Sequence, residues 1–433
     1  GCRDRRPPVE HVANYPVIRK LGEGATSEVF LCQDPFRGRE VAVKRIFPEA
    51  LRDPMRGRVF RKLFFTEASL AGKLEHPHIA QIFDAGIGED SGYIVMEYVP
   101  GGTMERFCAP ESLLPVEQVL EIAFKCARAL SFAHARGVTH RDIKPGNILY
   151  ATEPTDVRIG DFGLAINMGS ETTQVTGVGS PAYMSPEQIR DEVVDHRTDL
   201  YSLGVVMYQM LSGTLPYRGG NKFSIIFQIT QYEPPPPSSH RRGVTESLDR
   251  VVRRAMQKDP TQRYQSGDEL AEDLIEVLRA GTGEQRRGEL GDADKFVALR
   301  NMRFFSAFAD PELWEVIALG SWKHVPAGAP MVREGEHGDF FCMVVQGEAR
   351  VTKNKKLLSV LGPGQCFGEM AYLSVSSHER GATVTAARDS VIMQVKVGDL
   401  GKASADCRSK FDRAFIGILV ERLNLANTRL TSS

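Results

Sequence analysis

"HRDIKPGNILY", residues 140–150, followed by "DFG" at 161–163, is the stretch on which the reading of this 433-residue chain turns. It sets Asp142, Lys144 and Asn147 close together, then a second aspartate, Asp161, ahead of a glycine. Asp142 is suited to accept the proton of an attacking hydroxyl, and Lys144 to neutralise a phosphate in transit. Asn147 and Asp161 are hard oxygen ligands of the kind Mg²⁺ takes while keeping much of its water. Upstream, "GEGATSEV" (22–29) is a glycine turn between strand-like runs, with Gly22 and Gly24 in the turn and Ser27 where a third glycine would be expected. "VAVK" (41–44) places Lys44 on a strand, where its ammonium can reach phosphate oxygens beneath that turn. Glu67, in the helical pattern "FFTEASLAGKLEHPHI", is the candidate ion-pair partner of Lys44. A single aspartate of this set would read as a solvated surface charge; the ordered series carries the reading.

The bulk numbers agree with such a chemistry and exclude others. The length predicts two or three domains rather than one core. With 42% hydrophobic and 25% charged residues and a net charge of −1, nothing favours a polyanionic partner, and no nucleic acid is expected. The seven cysteines (Cys2, Cys32, Cys108, Cys126, Cys342, Cys366, Cys407) are odd in number and form no CxxC pair. That predicts reduced thiols and a cytoplasmic location rather than a disulfide framework or a zinc site. No apolar run approaches the roughly 18–20 residues of a membrane span, so none is expected in this chain.

Residues 15–50 alternate apolar and polar positions in short strand-like runs, and residues 115–135 and 198–213 are apolar at helical spacing. This predicts a small strand-rich lobe followed by a larger helical one over residues 12–279. "PPPPSS" (234–239) reads as a stiff connector between helices, and "AGTGEQRRGELGDAD" (280–294) as an interdomain linker. Residues 295–430 then run as helix, short glycine-punctuated strands from Val325 to Val397, and a final helix, 407–430. Within them, "FGEMAYLSVSSHERGATV" (367–384) sets a Gly-Glu pair eleven residues ahead of an arginine followed by small residues. A carboxylate and a guanidinium near a glycine turn suggest a small anionic ligand carrying hydroxyls.

The first series resembles the signature set of the protein kinase fold. Later markers extend it: "SPE" (185–187), Asp199 in "TDLYSLG" as the buried support of the catalytic loop, and Arg263 in "KDPTQRY" as the partner of Glu187. "DIKPGN" and "GSPAYMSPEQ" are similar to the Ser/Thr branch, particularly its bacterial members. The resemblance implies ATP and Mg²⁺ as cofactors and protein substrates. It gives catalytic roles to Asp142, Lys144, Lys44 and Glu67, and metal ligation to Asn147 and Asp161. An ATP pocket of Leu21, Gly22, Gly24, Val29, Ala42, Lys44, Met96, Glu97, Val99 and Leu149 follows, with Met96 at the back of the adenine site. Ala71, four residues after Glu67, is small where many relatives carry a bulky residue.

Residues 296–430 resemble the cyclic-nucleotide-binding domain through "EGEHGDFFCMVVQGEARV", "LGPGQCFGEMAYL" and "ERGATVTA", with glycines 335, 338, 347, 362 and 364 at the strand turns. The resemblance implies a site of Gly368, Glu369, Met370, Ala371, Arg380, Gly381 and Ala382. In it Glu369 takes the ribose 2′-hydroxyl, and Arg380 the cyclic phosphate with help from amides near Ala371 and Ala382. Gly381 lacks the hydroxyl that cGMP-preferring relatives carry, which favours cAMP.

The fold expected is therefore α+β multidomain: a bilobal kinase, then a β-roll with flanking helices. The function expected is a Ser/Thr protein kinase regulated by cyclic nucleotide. The alternative is a phosphorylation-controlled kinase whose β-roll is a protein-interaction or dimerisation module binding no nucleotide. Thr172, Thr173 and Thr176 are candidate phosphorylation sites whose phosphate would pair with Arg141. Basophilic relatives carry acidic residues where this chain has Thr103 and Gly146, so no strong requirement for arginine in the substrate is expected. The final helix is expected to need cover for Phe411, Phe415, Ile418 and Leu423.

Overall fold

Strand alternation builds the first lobe. Val41 and Val43 point to one face of the strand Glu40–Ile46, where they pack with Val12, Phe30, Cys32 and Val95. Ala42 and Ile46 point to the other face, against Ile94 and Met96 with Leu21 and Val29 alongside. The computed structural model describes residues 10–24, 27–52, 68–69, 71–88, 91–162, 181–281, 290–373 and 379–431. The chain divides into two compact units, Gly1–Thr282 and Gly283–Ser433.

In the first unit a six-stranded antiparallel sheet runs in the order His11–Val12, Tyr15–Glu23, Ser27–Gln33, Glu40–Ile46, Gly92–Glu97, Ile82–Ile87. Its register sets Val29 opposite Lys44 and Ala42 opposite Met96. The helical lobe centres on Val116–His134 and Arg197–Ser212, with Glu246–Ala255 and Gly267–Gly281 packed beside them. A second, three-stranded sheet pairs Gly102–Thr103 with Ile148–Tyr150, and that strand with Val157–Ile159. This small sheet ties the segment after the first lobe to the loop that carries Asp142. Pro237, the last of the proline run, opens a 3₁₀ turn to Ser239. Ala280 and Gly281 still belong to a helix, and Asp292–Arg300 opens the next.

The helical lobe is pinned by one buried ion pair. Arg263 Nη1 and Nη2 each donate to a Glu187 carboxylate oxygen at 2.6 Å, with side-chain exposures of 0% and 4%. The guanidinium spends its other donors on the carbonyls of Gln257, Arg197 and Lys258. All five are used, which makes so buried a charge tolerable.

In the second unit two four-stranded antiparallel sheets face one another. One runs Ser321–Val325, Ser390–Lys396, Phe340–Gln346, Cys366–Phe367; the other Pro330–Val332, Thr383–Ala386, Ala349–Lys353, Lys356–Leu361. Val332, Cys342, Val344, Ala349, Leu361, Phe367, Val384 and Ile392 fill the space between them. The final helix spans Ala405–Thr431, and Phe411 and Phe415 are fully buried among Phe304, Phe308 and Phe341. The expected apolar face is only half covered. Leu423 is 60% exposed, and Ile416, Leu419 and Val420 are exposed as well, because the β-roll's aromatic cluster reaches the helix only as far as Phe415. Cys32, Cys108, Cys126, Cys342, Cys366 and Cys407 are free and buried. Among the described residues no helix is long and apolar enough to cross a membrane.

Glu187→Ala would strand the Arg263 charge in the core and should cost the first unit about 3–5 kcal/mol. The expected outcome is a lower urea midpoint with faster amide hydrogen exchange across residues 197–212; wild-type exchange in this variant would contradict the role given to the pair.

Candidate active site and candidate ligand site

The loop bearing Asp142 is held from beneath by one carboxylate. Asp199 is fully buried and accepts the backbone N–H groups of His140 at 2.8 Å and Arg141 at 2.7 Å, and His134 Nε2–H at 2.8 Å. Arg141 sits at φ +67°, a left-handed conformation that a side-chain-bearing residue keeps only when its surroundings fix it. Gln188 Nε2 takes the Arg141 carbonyl at 2.9 Å. His140 Nδ1 accepts the Asp142 N–H at 3.2 Å, so its Nε2 carries the proton donated to the Gly160 carbonyl at 2.7 Å. The Phe162 ring closes edge-on against His140, centroids 4.7 Å apart.

Above this base the titratable groups converge. Asp142 Oδ2 accepts from Lys144 Nζ at 2.7 Å and from Asn147 Nδ2 at 3.0 Å. Asn147 Nδ2 also reaches the Asp142 carbonyl at 2.8 Å, while the Asn147 carbonyl accepts the Gly160 N–H at 2.8 Å, next to Asp161. Asp161, at φ +57°, accepts from Lys44 Nζ at 3.0 Å. Burial alone would raise its carboxyl; the Lys44 charge and hydrogen bond, with Lys144 beyond, hold it below the ordinary carboxylate range. The structure thus brings Lys44, Asp142, Lys144, Asn147 and Asp161 into one group. Glu67, the expected partner of Lys44, lies outside the described residues, as do Thr172, Thr173 and Thr176.

The positions assigned to a nucleotide lie on the sheet face that carries Lys44. Leu21 and Val29 pack toward Ala42 and Met96, and Met96 and Val99 are buried. Gly22 has open space where a side chain would stand, and the Gly24 N–H donates to the Ser27 carbonyl at 2.7 Å, closing the turn. Glu97 pairs its carboxylate with Arg158 Nε at 2.8 Å. Leu149 lies against Gly160, where an added Cβ would meet its Cδ1 at 3.2 Å. Ala71 is buried.

In the second unit Glu369 and Arg380 are both buried, at 6% and 7% exposure. The Arg380 guanidinium donates to the carbonyls of Phe340 at 2.7 Å and Gly368 at 3.2 Å, and its carbon stands 4.4 Å above the Phe340 ring. Two glycines make room for it. A Cβ on Gly338 would come within 2.1 Å of Arg380 Nε, and one on Gly368 within 2.4 Å of Nη1. Gly338, expected only as a turn residue, therefore provides clearance for the Arg380 side chain. Ala371 is buried in the short helix Met370–Leu373, Met370 is exposed, Ala382 is half-buried, and Gly381 has open space around it.

One member of this site is absent from the sequence-based set. Arg422, on the final helix, pairs through Nη1 with Glu369 Oε1 and donates from Nη2 to the Cys366 carbonyl at 2.7 Å. Tyr372 Oη donates to Asp412 at 2.5 Å, and the Tyr372 ring packs on Phe415 at 5.3 Å. The helix is thus fastened across the segment 366–372 at three of its turns. A signal existed: Arg422 stands seven residues after Phe415, on the face that Phe415 buries.

Residues 15–275 match the family model "Protein kinase domain", and residues 322–406 match "Cyclic nucleotide-binding domain". The serine/threonine-protein kinase PknB of Mycobacterium leprae is 39% identical over 282 residues, covering 64% of this chain and 44% of that protein. A probable serine/threonine-protein kinase of Clostridium perfringens is 37% identical over 267 residues, covering 61% of this chain and 38% of that protein. The chain thus spans less than half the length of these curated relatives. The crystal structure of the PknI kinase domain of Mycobacterium tuberculosis superposes with a TM-score of 0.51 at 30% identity, covering 63% of this chain and 99% of that one. The chain belongs to the protein kinase family and carries, after its kinase domain, a cyclic nucleotide-binding domain.

Proposed function

We propose that the chain is a serine/threonine protein kinase whose activity is set by a cyclic nucleotide, cAMP in preference to cGMP, held at Glu369 and Arg380. The observation that carries the kinase reading is the sharing of one carboxylate, Asp142, between Lys144 and Asn147, with the Lys44–Asp161 pair beside it. Asp142 takes the proton of a substrate hydroxyl as that oxygen bonds to the terminal phosphorus of ATP and the bond to the bridging oxygen breaks. Lys144 balances charge on the transferred group, and Lys44 on the remaining phosphates. The residues present fit Mg²⁺: Asn147 uses its amide N–H groups on Asp142, leaving its side-chain oxygen, and Asp161 is held ionised. When bound there, the ion supplies charge neutralisation to the phosphates.

For the β-roll, support comes from the clearance kept around Arg380, a buried guanidinium that, among the described residues, is answered by two backbone carbonyls and no carboxylate hydrogen bond. An incoming phosphate would provide the anion. Gly381 offers no hydroxyl to a guanine amino group, which favours cAMP. Arg422 connects the site to the final helix, because a ribose hydroxyl and Arg422 would compete for Glu369. The second reading, an interaction module without nucleotide, draws on that same pair: Glu369 already has a partner.

Asp161→Asn should lower phosphoryl transfer by orders of magnitude, several kcal/mol of transition-state stabilisation, without unfolding the chain. Near wild-type turnover by a folded Asp161→Asn protein would defeat the kinase assignment. For the second unit, calorimetry of the full chain with cAMP should show binding that Arg380→Ala weakens by about 1.5–3 kcal/mol. Gly338→Ala, which forces the guanidinium aside, should weaken it comparably. Kinase activity followed through a cAMP titration should change in the wild type and stay flat in Arg380→Ala. Absence of binding would favour the interaction-module reading, and binding with a flat wild-type response would end the regulatory one.

A further inference from the structure

Thr103 and Gly146 are neutral, yet the structure places a negative charge beside the catalytic loop from another position. The 3₁₀ turn Met104–Phe107 begins where the strand Gly102–Thr103 leaves its pairing with Leu149 and Tyr150. Met104 is fully buried and anchors the turn, and the Cys108 N–H closes it on the Glu105 carbonyl at 3.2 Å. Glu105 is therefore carried on a fixed backbone, and its carboxylate lies over Gly146: a Cβ built on that glycine would meet Glu105 Oε1 at 2.9 Å. Gly146 adjoins Asn147, whose amide holds the Asp142 carboxylate at 3.0 Å. On its other side the Glu105 charge is felt by Tyr183, in the turn Pro181–Tyr183 that precedes the Ser185 cap. Among the described residues no cation pairs with Glu105, although it is exposed and most comparable carboxylates near the loop are paired.

The geometry points to Glu105 as a specificity-determining residue of the phosphoryl transfer, one that binds a lysine or arginine of the protein substrate two or three positions from the phosphoacceptor. This rests on the kinase reading of the Asp142 site. The acceptor hydroxyl must lie at Asp142, and an extended peptide advances about 3.3 Å per residue, so a basic residue two or three positions away lies about 7–10 Å along the chain from it. A basic side chain adds its own reach to that span. An arginine suits the place because its planar fork can take both carboxylate oxygens. The expectation drawn from Thr103 and Gly146, no strong requirement for arginine, rests on the positions where basophilic relatives carry the charge. Here the glycine supplies room instead, and the carboxylate enters from the preceding turn.

The test uses the full chain with Mg²⁺ and ATP and a set of serine peptides on one neutral scaffold. A single arginine is moved from three residues before the acceptor to three after it, with an all-alanine peptide as reference. For the wild type, at least one placement two or three residues away should raise kcat/KM by roughly 10- to 100-fold, the worth of one charge-assisted hydrogen-bonded pair. In Glu105→Gln that ratio should fall toward one through KM for the arginine peptide, with KM for ATP unmoved. Glu105→Asp should recover part of it, and Glu105→Arg should shift preference to a glutamate at the same placement. A ratio unchanged in Glu105→Gln, a wild type without preference, or an equal loss on arginine and alanine peptides would each overturn the inference while leaving the kinase reading intact. A folded wild type that phosphorylates no peptide and does not turn over ATP would overturn both.

Discussion

The architecture of the first unit depends on the placement of one fully buried carboxylate. Asp199 offers its two oxygens to three donors, two of them backbone N–H groups of consecutive residues, His140 and Arg141. Without it those groups would be buried and unsatisfied, at about 1–3 kcal/mol each. Arg141 would also have no reason to stay in the left-handed region. Because the chain reverses there, Asp142 emerges facing Lys144 and Asn147 rather than the helix below. The same constraint spreads outward through hydrogen bonds: Gln188 grips the Arg141 carbonyl, and its neighbour Glu187 is locked by Arg263. Asp142 is thus positioned by a polar scaffold threaded through a hydrophobic helical lobe.

How much of this could be seen in the sequence depended on what kind of demand each residue answers. That Asp142, Lys144, Asn147 and Asp161 come together was legible because each lies in its own short motif segment, in the order the resemblance implies. The strands around Lys44 were legible from their alternation, and the Glu187–Arg263 partnership from the family's motifs. Other features join segments far apart and leave no periodic trace. Arg422 meets Glu369 across 53 positions, Glu105 meets Gly146 across 41, and Gly338 clears space for Arg380 across 42. In each case the informative residue is small, or sits on an unremarked turn of helix. Leu423 shows the opposite limit: helical spacing says which side chains share a face, not how far the neighbouring surface extends to cover it.

The two halves of the candidate ligand site in the second unit are prepared differently. Among the described residues Arg380 is buried with backbone hydrogen-bond partners only, and two glycines keep its surroundings open. Glu369 is already engaged by Arg422, so any hydroxyl seeking it must displace a partner. A ligand binding there would show an apparent affinity reduced by the fraction of molecules in which Arg422 is engaged. Affinity for a small molecule would then report the strength of a helix contact, and changes in Tyr372, Asp412 or Phe415, which touch the same helix, would alter it without touching the ligand. Coupling of this kind needs only two arrangements of the helix and a ligand that prefers one.

The buried thiols have a consequence of another sort. Burial pushes Cys32 up to about 11 and Cys108, Cys126, Cys342, Cys366 and Cys407 up to about 12. Almost no thiolate is available from them at neutral pH, and thiolate is the form that electrophiles and peroxides attack. The described cysteines are therefore chemically silent in the native fold, and oxidants have no handle on either unit through them. With Cys2, which lies outside the described residues, replaced, a single reporter thiol at an exposed position such as Leu423 would stand against a quiet background, so spin labels or fluorophores could follow the final helix with the six buried cysteines left in place.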